Sequence, residues 1–172
     1  MDALSIRPFQ RPDAEDVRAL FISVNRELAP SDKRDAFERY IELSLAEEID
    51  RIEDYYGERK GSFWVVNCGG KLAGFYGLEP AGAGEMELRR MYLAPQYRGG
   101  GLAMRMISHA EDVVRTKGYD RLVLSTSELQ QAALKFYEKA GYSLAREEVA
   151  DAANNKTVGG GIRRYHFLKD LR

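Results

Sequence analysis

The sequence predicts one mixed α/β domain, and three observations carry that reading. The chain has 172 residues, about the length of one domain, and folds of that size bury roughly 70% of the surface their unfolded chains expose. Short runs with β-like patterning are interleaved with longer runs whose apolar residues recur every three or four positions, which are the signatures of strands and amphipathic helices. In chain order these runs give β-α-α-β-β-β-α-β-α-β-β, with no internal repeat and no linker, so residues 1–172 read as a single domain.

Residues 3–9 read as the first strand. Pro12 and Asp13 open a helix in which Val17, Leu20, Phe21 and Val24 share a face, and Ala29-Pro30-Ser31-Asp32 breaks it. A second helix is expected from Lys33 to about Tyr56, with Phe37, Tyr40, Ile41, Leu45, Ile49 and Ile52 as its apolar stripe and Gly57 as its stop. Residues 62–67 and 71–78 are two short strands joined at Cys68-Gly69-Gly70, where glycine permits the positive φ of a tight hairpin. Residues 85–93 form the next strand, which Pro95 ends. After a turn of three glycines, residues 102–117 read as a helix with Leu102, Met106, Ala110, Val113 and Val114 on related faces and Gly118 as its cap. A short strand over 121–125, a helix over 129–140 closed by Gly141, a strand over 142–149, a glycine-rich loop over 154–161 and a terminal strand over 162–168 complete the order.

The totals exclude several classes. With a net charge of -1 the chain lacks the basic excess of a dedicated nucleic-acid binder. No segment approaches the roughly 18 uncharged apolar residues that a membrane span needs. The start, from Met1 to Arg7, has neither a basic leader nor a long apolar stretch, and Cys68 is the only cysteine; the expectation is a soluble cytoplasmic protein without an internal disulfide. His109 and His166 are far apart and Cys68 has no partner at ligand spacing, so no metal is expected.

Gly99, Gly100 and Gly101, set between a strand and a helix, let backbone N–H groups approach an anion, because no Cβ blocks access and the first helical N–H groups have no partners. A phosphate is the expected ligand. A nucleotide triphosphate loop would follow with Lys and Ser or Thr, whereas this chain has Leu102-Ala103-Met104. A dinucleotide fingerprint would need glycine where Met104 stands and an acidic residue at the end of Leu122-Val123-Leu124-Ser125.

The stretch Gln96-Tyr97-Arg98-Gly99-Gly100-Gly101, following Glu87-Leu88-Arg89-Arg90-Met91-Tyr92-Leu93-Ala94-Pro95, resembles the central motif of the GNAT superfamily of acetyl-CoA-dependent N-acetyltransferases: Arg or Gln, two residues, Gly, one residue, then Gly or Ala. The run from Ala133 to Tyr142, with Phe136, Tyr137 and Gly141, is similar to the family's later signature. The resemblance implies a central, mostly antiparallel sheet of six to seven strands with helices on both faces. It implies that the turn from Gln96 through Leu102 and Ala103, with the N–H groups of Arg98 to Ala103 and the charge of Arg98, cradles the pyrophosphate of acetyl-CoA. Met91, Tyr92 and Leu93 would pair with the pantetheine arm as an added strand, and Gln130 stands where many relatives carry an Asn that bonds this arm.

For catalysis the resemblance maps Tyr137 to a tyrosine that protonates the departing thiolate and Glu87 to a general base on the fourth strand. It also places the N–H that bonds the acetyl oxygen at a bulge near Met91, where Arg89-Arg90 breaks the alternation. A base is useful because an amine of pKa about 10.4 is only about one part in a thousand neutral near pH 7.4, a cost of roughly 4 kcal/mol. Glu87 is also placed to pair with Arg89, Arg90, Arg163 or Arg164, and Tyr137 to pack. Cys68, His109 and His166 read as ordinary structural or surface residues. The partners implied are acetyl-CoA and an unidentified primary amine, of a small molecule or a protein; a homodimer stays open.

The acceptor is expected from the side opposite the coenzyme, framed by the first two helices and the loop before the last strand. Tyr40, Tyr55, Tyr56 and the acids Glu47, Glu48 and Asp50 would suit a cation there, or the acids form a solvated helix face. Residues 154–157 and 159–161 form either a lid or a hairpin connection. The competing reading of the whole chain is a non-catalytic acyl-CoA-binding sensor.

Overall fold

The computed structural model describes residues 3–172; the part of the leader reading that falls on Met1 and Asp2 lies outside them. Seven strands form one sheet, β1 (Leu4–Pro8), β2 (Ser62–Cys68), β3 (Lys71–Gly82), β4 (Glu85–Leu93), β5 (Arg121–Ser127), β6 (Ser143–Ala150) and β7 (Ile162–Asp170), in the order β1-β2-β3-β4-β5-β7-β6. All neighbours are antiparallel except β4 and β5. Five helices accompany the sheet: α1 (Ala14–Leu28), α2 (Arg34–Glu47), α3 (Ile52–Glu58), α4 (Leu102–Thr116) and α5 (Gln131–Lys139).

The apolar stripes divide into two cores, one on each face. Val17 and Phe21 of α1, Phe37 and Ile41 of α2 and Ile52 of α3 pack with Val65, Phe75 and Ile162 of the sheet. On the other face Met106, Ile107, Ala110 and Val114 of α4 and Tyr137 of α5 pack on Val66, Met86, Leu88, Leu122, Leu124 and Phe167. The alternation of each strand sorts its residues between the two. Two turns follow their glycines: Gly69 and Gly70, at φ 59° and 79°, join β2 to β3, and Gly118, at φ 85°, ends α4.

The second helix departs from expectation. Instead of running from Lys33 to Tyr56, it stops at Glu47 and turns through Glu48, whose φ and ψ are -137° and -62°; a 3-10 turn at Ile49–Arg51 then leads into α3. Glu48 is a buried carboxylate with partners on β4, a demand that helical periodicity does not report. Gly57 lies inside α3 rather than ending it, and the left-handed residue beyond is Lys60, at φ 56°.

Candidate functional site

The centre of the sheet is opened by two irregularities of β4. Against β3, Tyr92 pairs with Phe75 and Arg89 with Gly77, so Arg90 and Met91 together face Tyr76 alone. This is a bulge where the charged pair suggested one. Arg90 has φ 57°, a left-handed backbone that costs a non-glycine residue roughly 1–2 kcal/mol. Against β5, pairing ends at Glu87 with Val123. Beyond that pair the strands part.

An ion cluster holds the bulge. Glu48 bonds Arg89 at 2.8 Å and Arg90 at 3.1 Å, with side chains 0%, 4% and 3% exposed. Arg89 also meets Glu79 at 3.1 Å and the Tyr55 hydroxyl, while Arg90 donates to the Tyr40 hydroxyl at 2.5 Å and to the Asn155 carbonyl. Tyr56 donates to Glu48 at 2.8 Å. Burial opposes the charge of Glu48, but Arg90 and Arg89 outweigh it and hold its pKa below the usual carboxylate range. Tyr55, Tyr56 and Glu48 therefore do not shape a cation pocket; they anchor α2 and α3 to β4. Of the other acids of that run, Glu47 is exposed and Asp50 pairs with Arg18 at 3.1 Å.

Where β4 and β5 part there is a cavity of ≈ 120 Å³ lined from both faces of the sheet. Met91, Ala133 and Tyr137 border it on the α4–α5 side. Tyr40, Tyr92, Val158 and Ile162 border it on the α1–α3 side, with Glu87, Lys156 and Arg164 among the remaining lining groups. Tyr137 donates its hydroxyl toward the sulfur of Met91 at 3.9 Å, and burial, with Tyr92 nearby, pushes its pKa well up. It enters the cavity as a neutral donor. Gln130 accepts at its side-chain oxygen from the Thr126 hydroxyl at 2.9 Å. Glu87 lies 3.5 Å from both Arg89 and Lys156, so Arg89 is its arginine partner. Arg164 instead donates to the Ser125 hydroxyl at 2.8 Å.

The glycine turn continues from the end of β4. Gly99 and Gly101 have φ 81° and 83°, and a Cβ at Gly99, Gly100 or Gly101 would meet nothing within 4 Å. The glycines serve the backbone path and leave its outer side open. Among the described backbone bonds none uses the N–H groups of residues 99–104; the first is Arg105 to Gly101 at 3.3 Å. The N–H of Arg98 is not in this set, because it donates to Pro95 at 3.2 Å in the turn that ends β4. Its guanidinium pairs with Glu27 at 2.8 Å and bonds the Leu93 carbonyl at 3.2 Å. Gln96 is exposed, while Leu102 and Ala103 start α4. These residues lie outside the cavity, which takes only Met91, Tyr92, Gln130, Glu87 and Tyr137 from the expected set.

The loop before β7 forms a wall. Asn154 folds it by accepting the N–H groups of Lys156 and Thr157, and Lys33 donates to Gly160 at 3.0 Å. His109 meets the Tyr76 hydroxyl, His166 the carboxylate of Glu148, and Cys68 is free and half-buried, all away from the cavity. Among the described residues no helix is long and apolar enough to cross a membrane, and no group of three His, Cys, Asp or Glu is placed for a metal. The sequence reading missed Glu48 as an anchor and Arg164 as a cavity residue. Neither is marked by the pattern of its own element: Glu48 stands where the helix breaks, and Arg164 differs from Arg163 only in lying on the face of β7 that buries Ile162.

Residues 26–142 match the family model described as acetyltransferase (GNAT) family. The mouse protein "Probable N-acetyltransferase family 8 member 5" is 32% identical over 111 residues, covering 62% of this chain and 49% of the relative. The chain spans about half the length of the curated relatives it matches. The PaiA N-acetyltransferase of Thermoplasma acidophilum, solved with coenzyme A, superposes with a TM-score of 0.74 at 20% identity, over 98% of this chain and 99% of that one. The spermidine N-acetyltransferase of Vibrio cholerae, solved with CoA and spermine, gives 0.70 at 19% identity, over 98% and 95%. These structural likenesses bear on the fold.

Proposed function

We propose that this chain, which belongs to the acetyltransferase (GNAT) family, moves acetyl from acetyl-CoA to a primary amine by direct attack inside the opening between β4 and β5. The observation that carries the reading is that this opening joins the two faces of the sheet, with Tyr137 and Met91 on one side and the charged group of Glu87, Lys156 and Arg164 beside the other. The chain's residues fit acetyl-CoA: the open glycine turn offers free N–H groups at a helix N-terminus for phosphate, and β4 beyond Glu87 has no strand partner on its β5 side. Bound there, acetyl-CoA supplies an activated acyl carbon and a thiolate leaving group.

The residues divide the work by position. Glu87 accepts the amine proton, directly or through water, as nitrogen bonds to the acyl carbon. The backbone at the Arg90–Met91 bulge offers N–H donation to the oxygen that gains charge. Tyr137 gives a hydrogen bond to the sulfur as its bond to carbon breaks. Tyr137→Phe tests this: turnover should fall at least tenfold with acetyl-CoA affinity unchanged. Acceptor-dependent turnover equal to wild type would remove Tyr137 from the mechanism, and acetyl-CoA binding without any acceptor turnover would favour a sensor.

A further inference from the structure

The cavity carries an unbalanced charge. Arg89, Arg90, Lys156 and Arg164 line it with Glu87, and Glu48 and Glu79 stand behind, so four cations face three carboxylates. The first three cations have carboxylate partners: Arg89 has Glu48, Glu79 and Glu87, Arg90 has Glu48, and Lys156 has Glu79 and Glu87 at 3.4 and 3.5 Å. Among the described residues Arg164 has none, and its one side-chain bond goes to the neutral Ser125 hydroxyl. Glu148, its register partner on β6, is turned to His166 at 2.7 Å and Arg146 at 3.4 Å.

The fold does not gain from this charge. Burial lowers the pKa of Arg164, against the help of Tyr40, Tyr92 and Glu148, whereas the pKa of Arg89 and of Arg90 is raised among their carboxylates. A guanidinium held partly out of water, bonded only to a hydroxyl and pushed on by the neighbouring Arg90 charge, is a planar fork with unused donors, which matches a carboxylate in shape and in single charge. On β7 it shares the face of Ile162, the α1–α3 face from which the amine is taken to enter.

We infer that Arg164 binds a carboxylate carried by the acceptor itself, so that the substrates are amino-acid-like amines rather than bare amines or polyamines. This rests on the function proposed above and names the substrate class of the same cavity. The surplus positive charge that draws a carboxylate repels a second ammonium, so a polycation such as the spermine of the Vibrio cholerae complex is selected against.

The test uses the twenty amino acids and their decarboxylated amines, with spermidine, on the full chain. Acetylation rates are measured with acetyl-CoA, and binding by calorimetry with CoA present. At least one amino acid should exceed its decarboxylated partner by more than tenfold in kcat/KM, mainly through KM. Arg164→Gln should abolish that ratio while leaving the melting temperature and the KM for acetyl-CoA unchanged, and Arg164→Lys should fall between. Bare amines or spermidine used as well as amino acids would overturn the inference and leave the acetyltransferase reading intact. So would an Arg164→Gln variant that keeps the ratio. Amino-acid binding that depends on Arg164 but yields no acetylation would uphold the contact between Arg164 and a carboxylate and overturn both the catalytic reading and the substrate class drawn from it; no binding and no turnover of any amino acid would overturn the inference.

Discussion

Replacing Glu48 by Gln keeps nearly the same shape and removes one charge from the centre of the molecule. Arg89 would keep Glu79 at 3.1 Å and Glu87 at 3.5 Å. Arg90 would keep only the neutral Tyr40 hydroxyl, Ser44 hydroxyl and Asn155 carbonyl. One guanidinium, 3% exposed, is then without a counter-charge, a condition that costs about 3–5 kcal/mol. Unfolding entropy near 2.1 cal/mol/K per residue over 172 residues converts this to a melting temperature lower by about 8–14 °C. Urea unfolding followed by Trp64 fluorescence and by far-UV circular dichroism gives the free energy directly. Adding Arg90→Met to Glu48→Gln removes the orphaned charge and should restore about half of the loss. A single-variant loss below about 1 kcal/mol, or a double variant no more stable than the single, would refute the view that this cluster anchors the bulge.

Glu48 also sets an acid limit. Its pKa is depressed in the fold, so its contribution is complete above the unfolded glutamate value of about 4.3 and is lost as pH falls through the lower folded value; stability of wild type should drop over that window, and Glu48→Gln should flatten the drop. A Cβ on Gly77 would land on the Tyr56 hydroxyl that reaches Glu48, so Gly77→Ala should cost about 1–3 kcal/mol by urea unfolding. Glu87→Gln should behave in the opposite way: its carboxylate is a quarter exposed, its ion pairs are 3.5 Å long and Arg89 keeps two other carboxylates, so the loss should be about 0–1 kcal/mol, while turnover near pH 7 should fall about 100-fold or more. Initial rates and a thermal melt on the same preparation separate the two effects.

Strand and helix order was legible where an element carries its own period and stop; the second helical stretch does not, and its break at Glu48 and its run through Gly57 were not legible. Gly69, Gly70, Gly101 and Gly118 sit at positive φ where the chain turns, a local demand written in local sequence. The bulge was half legible: Arg89-Arg90 announced an interruption in β4, but the side on which Arg90 lies depends on Glu48, 42 residues earlier. A charge on an amphipathic helix looks solvated until its partner is known, so in the sequence Glu48 reads like Glu47 and Asp50. The parting of β4 from β5 depends on where two strands stop pairing, and no pattern within either strand records that. Arg164 was legible only as one arginine among several, since its lack of a carboxylate is a property of its surroundings.

The opening between β4 and β5 has a kinetic consequence. In the proposed reaction the thioester arrives along one face of the sheet and the amine from the other, so neither reactant has to leave before its partner enters. Turnover then passes through a ternary complex with no acetylated form of the protein, and initial-rate lines at varied concentrations of both substrates intersect rather than run parallel.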